Sequence, residues 1–334
     1  MRTRDDLRQL QALPLGLKIK MTQRRIRDWV KEYGEDGVYV SFSGGKDSTV
    51  LLHIVREMYP DIEAVFVNTG LEYPEIQRFV KTFANVTILR PKMRFDEVIK
   101  RYGYPVISKE VSEAVYGSRR GWKSMQHKLH EKMSGGKWAG LEQLDCDISH
   151  MCCYVIKKKP AKEFEKRTGK KPMLATMTSE SRLRQTDWLK HGCNAFDSKR
   201  PRSAPMSFWT EQDVLWYIKE NSITIASVYG DIVYAVDPEQ IRLEGMGVEG
   251  CGEKLCTTGC DRTGCIFCGF GCHLDKEPSR FQRLKETHPR QYQYCIGGGE
   301  YDADGIWKPN KDGLGMGHVF EELNKIYGEG FIKY

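Results

Sequence analysis

The stretch Val38–Leu52, VYVSFSGGKDSTVLL, constrains this chain more than any other. It opens as a β-branched and aromatic run (Val38, Tyr39, Val40, Phe42) that reads as a buried strand. The run breaks at Ser43-Gly44-Gly45-Lys46-Asp47-Ser48 and resumes with helical spacing from Thr49 out to Met58. A strand, a tight glycine turn and a helix N-terminus together make an anion site. Gly44 and Gly45 let the backbone come close, the helix dipole adds partial positive charge, and Ser43, Ser48 and Thr49 supply hydroxyl donors. Lys46 is expected to act as a mobile point charge for a phosphate oxygen. The turn is too short for G-x-x-x-x-G-K-[ST], and it is not G-x-G-x-x-G.

The flanking chain alternates strands with helices. Residues 18–33 predict a helix with Ile19, Ile26, Trp29, Val30 and Tyr33 inward and a basic outer face. Residues 62–67 predict a strand ending at Asn68-Thr69-Gly70, and Pro74 opens a helix to about Ala84. A third strand (86–89) and a short helix (96–102) follow, then a helix near 161–167 and a strand over 172–176. This alternation predicts the α/β class, a doubly wound, mostly parallel sheet with ligands at the carboxyl ends of its strands. Asn68-Thr69-Gly70 falls at such an end, as a nucleotide contact or as a simple turn.

Segment 108–140 reads as a basic helical insertion. It carries Arg119, Arg120, Lys123, Lys128, Lys132 and Lys137 among Trp122, His127, His130 and Trp138, with a break at Gly135-Gly136. That mixture suits a phosphate backbone with stacked bases, and equally a solvated helix pair. The net charge of +7 permits a polyanionic partner without requiring one. There is no run of eighteen apolar residues and no apolar leader, so a cytoplasmic protein without a membrane span is expected. Eleven cysteines in that setting point to metal or redox chemistry, not disulfides.

SGGKDS between a strand and a helix resembles the PP-loop of the N-type ATP pyrophosphatases, which grips the β- and γ-phosphates while ATP is cut at the α-phosphate. Further on come Cys152-Cys153 with Lys157 to Pro160, then Glu180-Ser181-x-x-Arg184, then a helix W-T-x-x-D-V-x-x-Y-I from Trp209, with Thr210 and Asp213 placed as a capping box. In that order they resemble the phosphoadenosine phosphosulfate (PAPS) reductase family, over roughly residues 18–221 plus the later cysteines. The resemblance implies an adenine nucleotide alpha hydrolase-like fold over 1–235 and a cysteine-rich module over 236–334. It implies ATP contacts at Ser41, Ser43, Gly44, Gly45, Lys46, Asp47, Ser48, Thr49, Asn68, Thr69, Gly70, Glu180 and Arg184, with Lys46 and Asp47 catalytic and Mg²⁺ accompanying ATP. Asp47 acts through Mg²⁺ or simply caps the helix, and Glu180, Arg182 and Arg184 hold phosphate or form a surface ion-pair patch.

Between Cys251 and Cys272 the chain reads CGEKLCTTGCDRTGCIFCGFGC, with six cysteines. A structural zinc site on Cys256, Cys260, Cys265 and Cys268 is one reading. A [4Fe-4S] cluster is the other. Adjacent cysteines diverge too far to share one zinc ion, whereas a cluster offers separate iron corners. Similarity to adenylylsulfate reductases, where a CC pair and a later C-x-x-C hold a cluster, implies the ligands Cys152, Cys153, Cys265 and Cys268, with Cys260 as rival. Cys256, Cys260 and Cys272 are otherwise candidate redox or sulfur-carrying thiols, Cys260 the foremost; Cys146, Cys193 and Cys295 are expected to be structural.

Two activities compete. Reductases of this family use a cysteine in a C-terminal tail, and no cysteine follows Cys295 here. They also tend to lack the loop lysine, because their substrate has no β- or γ-phosphate, whereas Lys46 is present. The expectation is therefore ATP-dependent adenylylation of a substrate oxygen followed by sulfur insertion into a nucleic acid, tRNA or DNA. A sulfur donor such as a cysteine desulfurase would supply the sulfur. Sulfonucleotide reduction is the alternative, and a nucleic-acid-binding component of a modification or defence system is a third reading. Sulfate adenylyltransferases and FAD synthetases share the loop but not the cysteine array.

Overall fold

The structure, a computed structural model, describes residues 2–235 and 254–334. Seven short strands precede residue 204: β1 (Val38–Ser41), β2 (Ala64–Val67), β3 (Val86–Leu89), β4 (Val106–Ile107), β5 (Lys171–Met173), β6 (Asn194–Ala195) and β7 (Arg202–Ser203). All but β4 form one sheet in the order β3-β2-β1-β5-β7-β6, parallel throughout except for β6 against β7. The α/β class with a mostly parallel sheet is therefore as expected from the sequence.

By its contacts the chain divides into two units, each built from separated segments. The first comprises Met1–Asn68, Glu72–Leu89 and Lys162–Thr263; the second comprises Thr69–Leu71, Arg90–Ala161 and Gly264–Tyr334. These units do not coincide with a division at 235/236, a boundary that itself adjoins residues outside the described set. The basic segment 108–140, read as an insertion into the nucleotide domain, belongs to the second unit.

In the first unit the period-2 alternation of β1 sets two faces. Val38 and Val40 join Ala64 and Phe66 in the main core, with Ile26 and Trp29 of helix Leu15–Tyr33 and Val214 and Tyr217 of helix Glu211–Glu220. Tyr39 and Val65 point the other way, onto Phe164 of helix Lys159–Thr168. The Tyr39 hydroxyl donates to Glu165 at 2.7 Å, so a polar atom on a buried face keeps a partner. Helix Glu211–Glu220 starts with the predicted Thr210/Asp213 capping box. The same Asp213 carboxylate takes Lys18 at 2.6 and 2.8 Å, so Lys18 lies on the inner face of its helix, not the basic outer face.

Some boundaries differ from expectation. The helix opened by Pro74 ends at Val80, because the chain turns there to place Asn85 in the left-handed region (φ 49°) before β3. β2 begins at Ala64 and β5 stops at Met173. Arg56 reaches the carbonyls of Ile62 and Asn85 and holds that bend.

The second unit contains helices Lys109–Ser118, Arg280–Thr287, Pro289–Ile296 and Met316–Tyr327, and Tyr104, Val115, Leu141, Phe281 and Phe320 are buried in it, the last two in ring contact. In it β4 pairs in parallel with Gly269–Phe270, next to the C-x-x-C of Cys265 and Cys268. Segment 108–140 is helical at its start and then runs through a π turn (Lys128–Lys132) and short 3₁₀ turns, with the predicted break at Gly135 and Gly136.

Candidate active site

The loop forms as its composition requires. Gly44 has φ 73°, and a side chain there would meet Ile76 Cγ2 and Val80 Cγ2 at 2.8 Å, so only glycine fits. Gly45 then caps helix Lys46–Met58 without a side-chain bond. Ser48 Oγ accepts from the Ser43 amide at 3.1 Å, lies 3.0 Å from Ser43 Oγ and donates to the Gly45 carbonyl. Thr49 donates to the same carbonyl at 3.0 Å. Ser48 and Thr49 are buried and spend their hydroxyl protons on the turn, while Ser43 stays exposed. Ser41 closes β1 opposite Val65.

Lys46 differs from the sequence expectation. Its side chain is 4% exposed, and its ammonium donates to the Asp261 carbonyl at 2.6 Å and pairs with Glu211 at 3.0 Å. It is a fixed, buried charge, not a mobile one. Its backbone N–H donates to the Tyr229 hydroxyl at 3.2 Å, and that hydroxyl shares a 2.6 Å bond with Thr263. Burial raises the Tyr229 phenol to about 12, so it stays protonated. Asp47 has one carboxylate oxygen buried without a hydrogen-bond partner, which removes a cap role for that atom. Burial raises its pKa, and Lys46, Arg262 and Arg184 work against that rise.

Glu180 and Arg184 do come together. Glu180 accepts from the Met177 amide at 3.0 Å, pairs with Arg184 and lies 3.7 Å from Arg262. Two guanidiniums therefore share one carboxylate. Arg182 is exposed at the start of its helix. Asn68 belongs to the first unit, its amide bonded to Leu89, whereas Thr69 and Gly70 belong to the second. In the second unit Thr69 accepts from the Leu71 amide at 3.1 Å, and the Leu71 carbonyl takes the Ile266 amide at 2.8 Å. Thr69 thus takes part in a local turn, with Gly70 at φ 76° beside it.

Sequence reasoning missed Glu211, Tyr229, Asp261, Arg262 and Thr263. Glu211 follows Thr210 in a stretch already singled out, and Asp261–Thr263 lie between two cysteines, so both carried a local signal. Tyr229 carried none.

The cysteines divide between the units. Cys152, Cys153, Cys265 and Cys268 lie in the second, whereas the rival Cys260 lies in the first, near Tyr229. Cys152 and Cys153 sulfurs are 3.9 Å apart, so the two side chains converge, contrary to the divergence expected of adjacent cysteines. The hydrogen bond from Cys152 lowers the Cys153 thiol, with Lys109 and Lys157 adding to the effect, while Cys152 is raised by that bond, by burial and by Cys153, Cys268 and Cys265. Burial raises Cys268, and Arg280 opposes it while donating to the Cys268 carbonyl. Among the described residues no three His, Cys, Asp or Glu side chains are grouped as one metal ion requires. Cys146, Cys193, Cys272 and Cys295 are buried, and the ten described cysteines are all free thiols. Cys251 lies outside the described residues.

A parallel sheet whose first strand feeds a glycine turn and a lysine-bearing helix start defines a PP-loop nucleotide-binding domain. The phosphoadenosine phosphosulfate reductase domain matches residues 37–269, and the chain belongs to that family. An uncharacterized protein of Methanocaldococcus jannaschii is 32% identical over 99 residues, 26% of this chain and 24% of that one. The phosphoadenosine 5'-phosphosulfate reductase of Xylella fastidiosa is 36% identical over 73 residues, 22% of this chain and 30% of that one. That of Xanthomonas axonopodis pv. citri is 28% identical over 144 residues, 42% of this chain and 58% of that one. The chain thus spans less than two thirds of these relatives. The phosphate complex of phosphoadenylyl-sulfate (PAPS) reductase from Candida auris aligns with a TM-score of 0.39 at 14% identity, over 76% of this chain and 96% of that one. No helix among the described residues is long and apolar enough to cross a membrane.

Proposed function

We propose that the protein adenylylates a substrate oxygen with ATP and readies it for sulfur insertion. The observation that carries this reading is the buried Lys46 ammonium at the start of the loop helix, beside an Asp47 oxygen with no hydrogen-bond partner. A substrate oxygen attacks the α-phosphorus of ATP, the bond to the β-phosphate oxygen breaks, and pyrophosphate leaves. Lys46 and the loop N–H groups offset the charge on that leaving group. Asp47 would hold Mg²⁺, which supplies further neutralisation when bound. The Cys260 persulfide, charged by a cysteine desulfurase or its equivalent, attacks the activated carbon and AMP leaves. A second thiol then attacks the Cys260 sulfur, which breaks the S–S bond, frees the thiolated substrate and leaves a disulfide that an external thiol reduces.

Cys152, Cys153, Cys265 and Cys268 would hold a [4Fe-4S] cluster, which supplies redox or sulfur chemistry. Four thiols in one unit with Lys109, Lys157 and Arg280 about them suit an anionic cluster. The exposed Lys123, Lys132 and Lys137 and the half-exposed Trp122 support a tRNA or DNA substrate.

A second reading is favoured by a specific observation. Lys46 already has protein partners, which a sulfonucleotide lacking β- and γ-phosphates would leave in place. A thiolate would attack the sulfur of adenylyl sulfate or PAPS, releasing AMP or adenosine 3',5'-bisphosphate and leaving an S-sulfocysteine. A second thiol would then attack the cysteine sulfur, forming a disulfide and releasing sulfite. The deciding experiment is anaerobic assay of iron-replete protein for pyrophosphate from ATP, with tRNA or duplex DNA added, and for sulfite from PAPS. Nucleic-acid-stimulated pyrophosphate supports adenylylation. Sulfite without ATP turnover replaces it with reduction.

A further inference from the structure

Three consecutive residues, Asp261-Arg262-Thr263, each engage a part of the nucleotide loop or its rim. The Asp261 carbonyl takes the Lys46 ammonium at 2.6 Å. Arg262 lies 3.7 Å from the Glu180 carboxylate that Arg184 also holds. Thr263 fixes the Tyr229 hydroxyl at 2.6 Å, and that hydroxyl accepts the Lys46 N–H. A side chain on Gly45 would meet Tyr229 at 3.1 Å and Thr263 at 3.4 Å, so both hydroxyls stand directly over the glycine turn. The Asp261 carbonyl and the Glu211 carboxylate thus satisfy the Lys46 ammonium, and the Tyr229 hydroxyl, held by Thr263, satisfies the Lys46 N–H, donors that such a loop otherwise offers to phosphate oxygens.

The segment is anchored but detachable. Its approach is tied by the amides of Gly259 and Cys260, which donate to the carbonyls of Tyr229 and Val228 at 2.9 and 3.0 Å, and by the Thr258 amide to Asp231. No large apolar side chain in 258–263 locks it into the core. Few buried apolar contacts and a short polar ladder are the signature of a segment that opens locally at low cost.

We infer that Asp261–Thr263 is an internal stand-in for the terminal phosphates and determines which adenine nucleotides enter freely. Nucleotides with a single phosphoryl group bind with the segment in place. A triphosphate binds only by displacing it from Lys46 and Tyr229, and its affinity is lowered by the population of the open form. The inference rests on the adenylylation reading for the identity of the incoming triphosphate.

The test is Thr263→Val, which keeps the shape and removes the bond to Tyr229, compared with wild type by calorimetric titration of Mg-ATP and AMP. ATP affinity is expected to rise about tenfold while AMP affinity stays within about twofold. In wild type, Mg-ATP should speed backbone hydrogen exchange at Gly259 and Cys260 while AMP does not. ATP binding of equal strength in both forms, with unchanged exchange, overturns the stand-in alone. Absence of ATP binding in both forms, with AMP bound, overturns the stand-in and the adenylylation reading together.

Discussion

The ammonium of Lys46 lies 2.6 Å from the carbonyl of Asp261, a residue 215 positions further along the chain. The loop that looks self-contained in sequence is completed by a distant, cysteine-flanked segment. Lys46→Ala is expected to lower ATP-dependent pyrophosphate release by about 100-fold. Iron content should be unchanged, because the four thiols proposed as cluster ligands belong to the second unit. Unchanged turnover in a pyrophosphate assay would remove Lys46 from the mechanism.

Gly44→Ala tests the turn itself. With φ 73° and two methyl groups 2.8 Å from the new Cβ, the substitution combines left-handed strain with overpacking. A loss of about 2–3 kcal/mol in urea unfolding is expected, with nucleotide binding lost in parallel.

The Lys18–Asp213 pair is a structural device, not a catalytic one. Its side chains are 3% and 12% exposed, so removing one partner strands a buried charge. Lys18→Met should cost about 3–5 kcal/mol, and adding Asp213→Asn, which removes the charge but keeps an acceptor for the Thr210 cap, should recover part of it. A double-mutant cycle with no coupling would contradict the burial.

Asp275 gives a pH signature. Burial alone would raise its carboxyl, but the hydrogen bonds and charge of Arg280, at 2.7 and 2.8 Å, outweigh burial and hold it below the usual carboxylate range. The folded pKa is the lower one. The stabilisation is therefore fully present above the unfolded value of about 3.9 and disappears as pH falls through the folded value. Asp275→Asn should cost about 1 kcal/mol at pH 7, after allowance for solvent screening, and flatten the acid limb of the stability curve. Because Arg280 also donates to the Phe270 carbonyl, the C-x-x-C turn should loosen with it.

Cys265→Ser is expected to bleach the brown chromophore of anaerobically purified protein and lower iron and sulfide together. A colourless wild type with stoichiometric zinc would overturn the cluster.

The loop, its sheet and the capped helix after Thr210 were legible in sequence because each is specified by neighbours within a few positions. Contacts closed over hundreds of positions were not: nothing near Lys46 announces Asp261, Tyr229 or Glu211. Charge counting misled in one place. Arg119 counts toward the basic segment 108–140, yet its guanidinium points inward to the carbonyls of Leu141, Glu142, Leu144 and Cys146. Sequence composition records a charge but not the direction it faces.

The discontinuous second unit has a consequence for biosynthesis. Cys152 and Cys153 emerge from the ribosome about 110 residues before Cys265 and Cys268. At about 5–20 residues per second, that interval is roughly 5–20 s. Throughout it, the two early thiols are present without their later companions. On the proposed ligand set, iron delivered during translation would meet only half of its ligands, and cluster assembly would follow completion of the chain.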